Sequence, residues 1–157
     1  MNVQKSTVAL IVNFEGKRTD KATGNHVAYK GKGEQFYTIG YGHYGADVKP
    51  NQQITQAQAE QYLAADLKEK ADYINKHVTA QLSQHRFDAL CSFVYNRGQG
   101  NFQKSRLLKA LNTGDFARTA DAFLDDENWN ISRLPFDVRQ GLLKRRKAER
   151  EYFLTED

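Results

Sequence analysis

The sequence predicts an α+β fold, on three observations. Residues 55–78 repeat apolar side chains at three- and four-residue steps, the mark of an amphipathic helix. Residues 26–45 alternate in short stretches and are punctuated by glycine, the mark of strands and tight turns. The two patterns do not interleave: β signals end near Gly45 and later periodic segments are helical, the order expected of segregated helices and sheet.

The elements follow in order. Residues 4–15 carry Val8, Leu10, Ile11, Val12 and Phe14, so a helix is predicted there, with Ser6 or Thr7 as its cap and Gly16 as its end. T-D-K-A-T-G-N-H is polar and turn-rich. H-V-A-Y-K-G and Q-F-Y-T-I-G-Y-G read as two strands joined around Gly31-Lys32-Gly33. Thr55 followed by Gln58 forms a capping box for the long helix, whose stripe is Leu63, Leu67, Ala71, Ile74 and Val78. At 1.5 Å per residue it would span roughly 36 Å, long enough for a strut between two lobes.

Ser83 is placed to cap a helix over 84–97 that buries Phe87, Leu90, Cys91, Val94 and Tyr95 and stops at Gly98 and Gly100. Ser105 opens a short helix closed by Gly114, and Asp115 caps the next. Trp129 falls in a polar connector, and Pro135 opens the last helix as a first helical residue. No internal repeat or low-complexity linker is present. The chain of 157 residues reads as a single domain over 1–157, with a β part over about 16–54 and a helical part over about 80–157.

Composition narrows the function. The net charge of +4 suits a polyanionic partner without choosing one. The single cysteine, Cys91, allows no intrachain disulfide, and its apolar setting reads as a small buried hydrophobe. The N-terminal apolar run is too short to cross a membrane. His26, His43, His77 and His85 lack ligand spacing, so no metal is expected.

Three residues carry candidate chemistry. Glu15 ends an apolar helix, where contact with Phe14 and Val12 would partly desolvate its carboxyl and suit it to general-acid work. Its position also opposes the helix dipole. Thr38 lies mid-strand among glycines that let a ligand approach. His43 closes the same stretch. The plain readings are a helix-end glutamate, a good strand former and a structural histidine.

The motifs F-E-G, A-Y-K, Y-T-I-G-Y-G-H, I-T-Q-A-Q-A-E, D-A-L-C-S-F-V-Y-N-R-G-Q-G-N-F, S-R-L-L-K-A-L-N-T-G-D-F and G-L-L-K-R-R-K-A-E-R-E-Y-F occur in this order. Together, over about residues 8–153, they resemble the phage-type lysozymes, the endolysins of glycoside hydrolase family 24. The resemblance implies a two-lobed lysozyme-like fold joined by the long helix, with a sugar cleft. It implies cleavage of the β-1,4 bond between N-acetylmuramic acid and N-acetylglucosamine in bacterial peptidoglycan, with no cofactor. By resemblance Glu15 is the general acid and Thr38 helps to hold the attacking water. His43 and Asp66 form a structural pair, while Tyr41 and Asn96 contact substrate. Arg145, Arg146 and Glu149 resemble scaffold ion pairs. A monomer is expected, without stable membrane insertion, held in the host bacterial cytoplasm until lysis releases it to the wall.

One position departs from the pattern. The family usually carries a second carboxylate on the first hairpin, six residues before the threonine, where this chain has Lys32, or Gly31 counted from A-Y-K. Inverting hydrolysis needs a base opposite the acid, with the carboxyls about 6.5–9.5 Å apart. Glu34, four residues before Thr38, would share its face on a regular strand, and Asp20 in the inserted loop is the alternative. Without either, the chain would be an inactive or weakly active peptidoglycan-binding module on a lysozyme fold. A nucleic-acid binder is not expected, because the basic K-R-R-K run comes with no recognition motif.

Overall fold

The computed structural model describes residues 1–125 and 131–156, so the connector expected around Trp129 lies outside the described residues. The chain divides into two compact units, Val8–Glu69 and Met1–Thr7 with Lys70–Asp157.

The first unit holds the end of helix α1 (Lys5–Val12), four short strands, and the first part of helix α2 (Gln56–His77). Strand β1 (His26–Val27) pairs antiparallel with β4 (Gln53–Ile54), His26 opposite Ile54. Strand β2 (Tyr37–Ile39) pairs antiparallel with β3 (His43–Gly45), Thr38 opposite Tyr44. The stretch from Tyr37 to Gly45 is therefore a hairpin rather than one strand. Its loop turns on Gly40 (φ 65°) and Gly42 (φ 95°), a backbone that residues with a Cβ rarely adopt. A Cβ on Gly40 would also stand 3.3 Å from the Ala59 Cβ. The expected pairing around Gly31-Lys32-Gly33 shrinks to one bridge, in which Tyr29 and Thr38 exchange N–H···O bonds of 2.9 and 2.7 Å. Ile11, Ile39, Ile54, Ala59, Leu63 and Leu67 are buried in this unit.

Helix α1 is shorter than the predicted 4–15. The N–H groups of Phe14 and Glu15 both turn onto the Ile11 carbonyl, at 2.9 and 3.1 Å, which closes the last turn early. Thr7 lies inside the helix, not at its cap, and accepts from the Gln4 N–H at 2.9 Å.

The helical unit contains the rest of α2, then α3 (Gln84–Arg97), α4 (Gln99–Lys104), α5 (Arg106–Asn112), α6 (Phe116–Ala122), a 3-10 turn (Ile131–Arg133) and α7 (Phe136–Leu154). Capping sets the boundaries. Thr55 and Gln58 make the reciprocal capping box at 2.9 and 3.2 Å. The Ser83 and Ser105 hydroxyls accept from the Arg86 and Leu108 N–H groups, and the Asp115 carboxylate accepts from Arg118. Pro135 occupies the cap itself, so α7 starts one residue later than expected. Gly100 does not end a helix; it lies within α4. The core gathers Phe87, Leu90, Phe93, Phe102, Phe123 and Phe153, with edge-to-face rings such as Phe93 and Phe123 at 5.6 Å.

Two buried polar clusters brace this unit. The Asp88 carboxylate accepts from Ser6, Thr7 and Gln84 at 2.6, 2.6 and 2.7 Å. The Glu149 carboxylate accepts from the Ser92 hydroxyl at 2.6 Å, from Arg145 Nε at 3.0 Å and from Arg146. Burial pushes the Glu149 carboxyl up, and the two guanidinium groups oppose that. The basic run of α7 is thus not wholly a solvated face: Arg145 and Arg146 are buried, while Lys144 and Lys147 are exposed.

Candidate functional site

Glu15 follows the closing turn of α1 and is half-buried. Its amide is held by the Ile11 carbonyl, so the turn fixes where its side chain starts. Thr38 lies in the same unit, with its N–H and C=O both bonded to Tyr29 and only 8% of its surface exposed. A hydroxyl on so tightly tied a backbone segment can orient a small molecule such as water.

Both candidates for the second carboxylate serve turns. Glu34 Oε2 accepts from the Gly31 N–H at 2.8 Å, while the Glu34 N–H donates to the Gly31 carbonyl at 3.1 Å. A Cβ on Gly31 would stand 2.8 Å from the Glu34 carboxyl carbon, so a side chain there would push the carboxylate aside. Strand β2 begins only at Tyr37, so strand alternation does not carry back to Glu34; this corrects the same-face expectation. Asp20 Oδ1 accepts from the Ala22 and Thr23 N–H groups at 2.7 and 3.1 Å, the turn-forming use of an aspartate. Lys32 is exposed in the turn between Tyr29 and Thr38.

Tyr41 corrects a second expectation. It was expected to contact substrate, but it is 2% exposed. Its ring meets His26 edge-on at 5.1 Å and its hydroxyl accepts from Gln56 Nε2 at 2.7 Å. Gln56 also donates to Glu60 at 2.9 Å and accepts from His26 Nε2 at 2.7 Å, making it the hub of a network that sequence reasoning missed. The exposed aromatic of the hairpin is Tyr44, with 47% of its surface open. Asn96, at the exposed end of α3, accepts from the buried Arg146.

His43 and Asp66 are in contact: Nδ1 lies 2.9 Å from Asp66 Oδ2 and 3.1 Å from Oδ1. Nε2 lies 2.8 Å from Asp47, a second partner spaced four residues along the chain. Burial, the largest single influence, lowers the affinity of His43 for its proton, but the hydrogen bonds to Asp47 and Asp66 together outweigh it and raise its pKa. The same contact with His43 lowers the pKa of Asp47.

Among the described residues no group of three or more His, Cys, Asp or Glu side chains could hold a metal, and no helix is long and apolar enough to cross a membrane.

The family model described as phage lysozyme matches residues 13–149. The endolysin of Bacillus phage B103 is 44% identical over 156 residues, which is 99% of this chain and 55% of that relative. The chain thus spans about half the length of this relative, as it does of the 43% identical endolysin of Bacillus phage PZA. The endolysin of Salmonella phage P22 is 36% identical over 75% of this chain and 80% of its own length. Among solved structures, the muramidase domain of SpmX from Asticaccaulis excentricus superposes with a TM-score of 0.81, at 30% identity over 99% of both chains. A P22 lysozyme mutant gives a TM-score of 0.79, also at 30% identity over 99% of both chains. With α+β architecture, a matching family model over most of its length and these relatives, the chain belongs to the phage lysozyme family.

Proposed function

We propose that the chain is a muramidase, hydrolysing the β-1,4 bond between N-acetylmuramic acid and N-acetylglucosamine in bacterial peptidoglycan. The observation that carries the reading is Glu15, half-buried on the closing turn of α1, in the same compact unit as the strand-held Thr38 of a phage lysozyme family chain. The whole chain is taken as one catalytic domain that acts as a monomer, reaching the wall when the host lyses.

In this mechanism Glu15 enters protonated and gives its proton to the bridging oxygen as the bond from that oxygen to the anomeric carbon breaks. Water attacks the anomeric carbon, oriented by the Thr38 hydroxyl. Its proton passes to a base, and Glu34 is the preferred one, since its carboxylate is exposed and takes one loop N–H where Asp20 takes two. Asp20 is the alternative base.

One observation favours a second reading, a wall-binding module with little or no turnover: Asp20 and Glu34 are both bonded to loop N–H groups, and Lys32 stands where the family usually has an acid. Clearing of a peptidoglycan suspension separates the two. The muramidase reading expects wild type to clear it, and Glu15→Gln to lose at least about a hundredfold in rate, the usual worth of a positioned acid. Glu34→Gln should lose more than Asp20→Asn. A wild-type chain that sediments with the wall but clears nothing contradicts the muramidase reading and supports the binding module.

A further inference from the structure

The segment immediately after Glu15 holds most of the chain's net charge. Residues 17–34 carry five cationic side chains and two carboxylates, a net +3 of the chain's +4. The remaining 139 residues are nearly balanced, with 18 cationic and 17 acidic side chains. Lys17, Arg18, Lys21, Lys30 and Lys32 are all exposed. Among the described residues none of the five makes an ion pair, and the two carboxylates of the segment bond backbone N–H groups instead.

Three of the five are ordered by aromatic rings. The Arg18 guanidinium stands 5.1 Å from the Tyr29 ring centre, the Lys30 ammonium 5.6 Å from Tyr37, and the Lys17 ammonium 6.0 Å from Tyr41. A cation–π contact restrains a cation without neutralising it, whereas a salt bridge would cancel the charge. The backbone gathers the segment: Arg18 and Val27 are tied by a 2.8 Å bond, Thr19 bridges His26, and Tyr29 bridges Thr38. The outcome is a set of five unneutralised charges on one small meander, three of them held against rings.

We propose that this meander is a docking surface for a linear phosphodiester polyanion of the bacterial wall, which holds the chain on its substrate. Four of the five cations are lysines, compact point charges that suit phosphate oxygens. No enclosing pocket is needed, because a flexible polymer with one charge per repeat is captured by charge density and counterion release. Carboxylates on peptide stems share the negative sign, so the test separates the two. The proposal rests on the wall being the chain's target, not on cleavage.

The probe is a linear poly(glycerol phosphate), titrated at rising salt. Three proteins are compared: wild type; the combined Lys17→Gln, Lys21→Gln, Lys30→Gln, Lys32→Gln variant; and a control with Lys104→Gln, Lys109→Gln, Lys144→Gln, Lys147→Gln, which removes equal charge from the helical unit. Circular dichroism checks that each is folded. The meander variant should lose at least about tenfold in affinity at low salt and show a flatter salt dependence, while the control loses less than about threefold. Equal losses in both variants, or no loss in the first, overturn the proposal. So does tighter binding to phosphate-free peptidoglycan or to duplex DNA than to the phosphate polymer. Release of reducing ends from phosphate-free peptidoglycan is scored separately, so a chain that binds the polymer but cuts nothing refutes the muramidase reading and leaves the docking surface supported.

Discussion

At the scale of single residues, His43 makes the clearest pH prediction. Its pKa is raised in the folded state, so its contribution is full below the unfolded value near 6.5 and is lost as pH rises through the folded value. Asp47 is shifted the other way, so its part is present above the unfolded carboxylate value and is lost as pH falls through the folded one. Denaturant titrations should therefore show wild type exceeding His43→Gln most clearly at about pH 6, by up to about 1 kcal/mol for a partly exposed pair, with the gap closing as the pH rises through the folded value. A gap that grows with pH would contradict the assignment. Cys91 offers a second check. Burial, the largest cause, pushes its thiol well above the ordinary range, so a disulfide reagent should label it only at the rate of global unfolding. At this scale sequence reading located side chains better than it oriented them. The His43 and Asp66 positions are legible, but a resemblance of motifs places Tyr41 without saying which way its side chain faces, so the expected substrate contact fails on a ring that is 2% exposed. Asp47 is not legible from its four-residue spacing to His43, because that spacing brings side chains together on a helix and His43 lies on a strand.

At the scale of elements, local chemistry was legible and long-range pairing was not. The Ser83 cap and the Thr55–Gln58 box placed α3 and α2 within a residue of their ends, because such signals act within one turn. Strand β4 is not legible in the sequence because it is two residues long and its partner lies 28 positions earlier, at His26 for Ile54. Helix α4 was missed because Gly98 ends α3 with φ 85° while Gly100 continues a new six-residue helix. Two substitutions test the elements. Gly40→Ala puts a Cβ at φ 65° and 3.3 Å from Ala59, and should cost about 1–2 kcal/mol in denaturant unfolding. Glu149→Ala leaves Arg145 and Arg146 buried without their shared partner, and should cost about 3–5 kcal/mol or prevent folding. A near-neutral result for either would contradict the packing described.

At the scale of the whole molecule, the family was legible because seven motifs in order constrain the chain together, although each is short. The second carboxylate was not legible, because the sequence differs from the family where that acid stands, and the structure turns both substitutes onto loop amides. The central claim is that Glu15 protonates the glycosidic oxygen. The most direct measurement is mass spectrometry of the fragments released from purified peptidoglycan by wild type and by Glu15→Gln. The account predicts wild-type products with new reducing-end N-acetylmuramic acid, and a Glu15→Gln variant that is folded but slower by at least about a hundredfold. Full activity in Glu15→Gln, or fragments cut at a different bond, would contradict it.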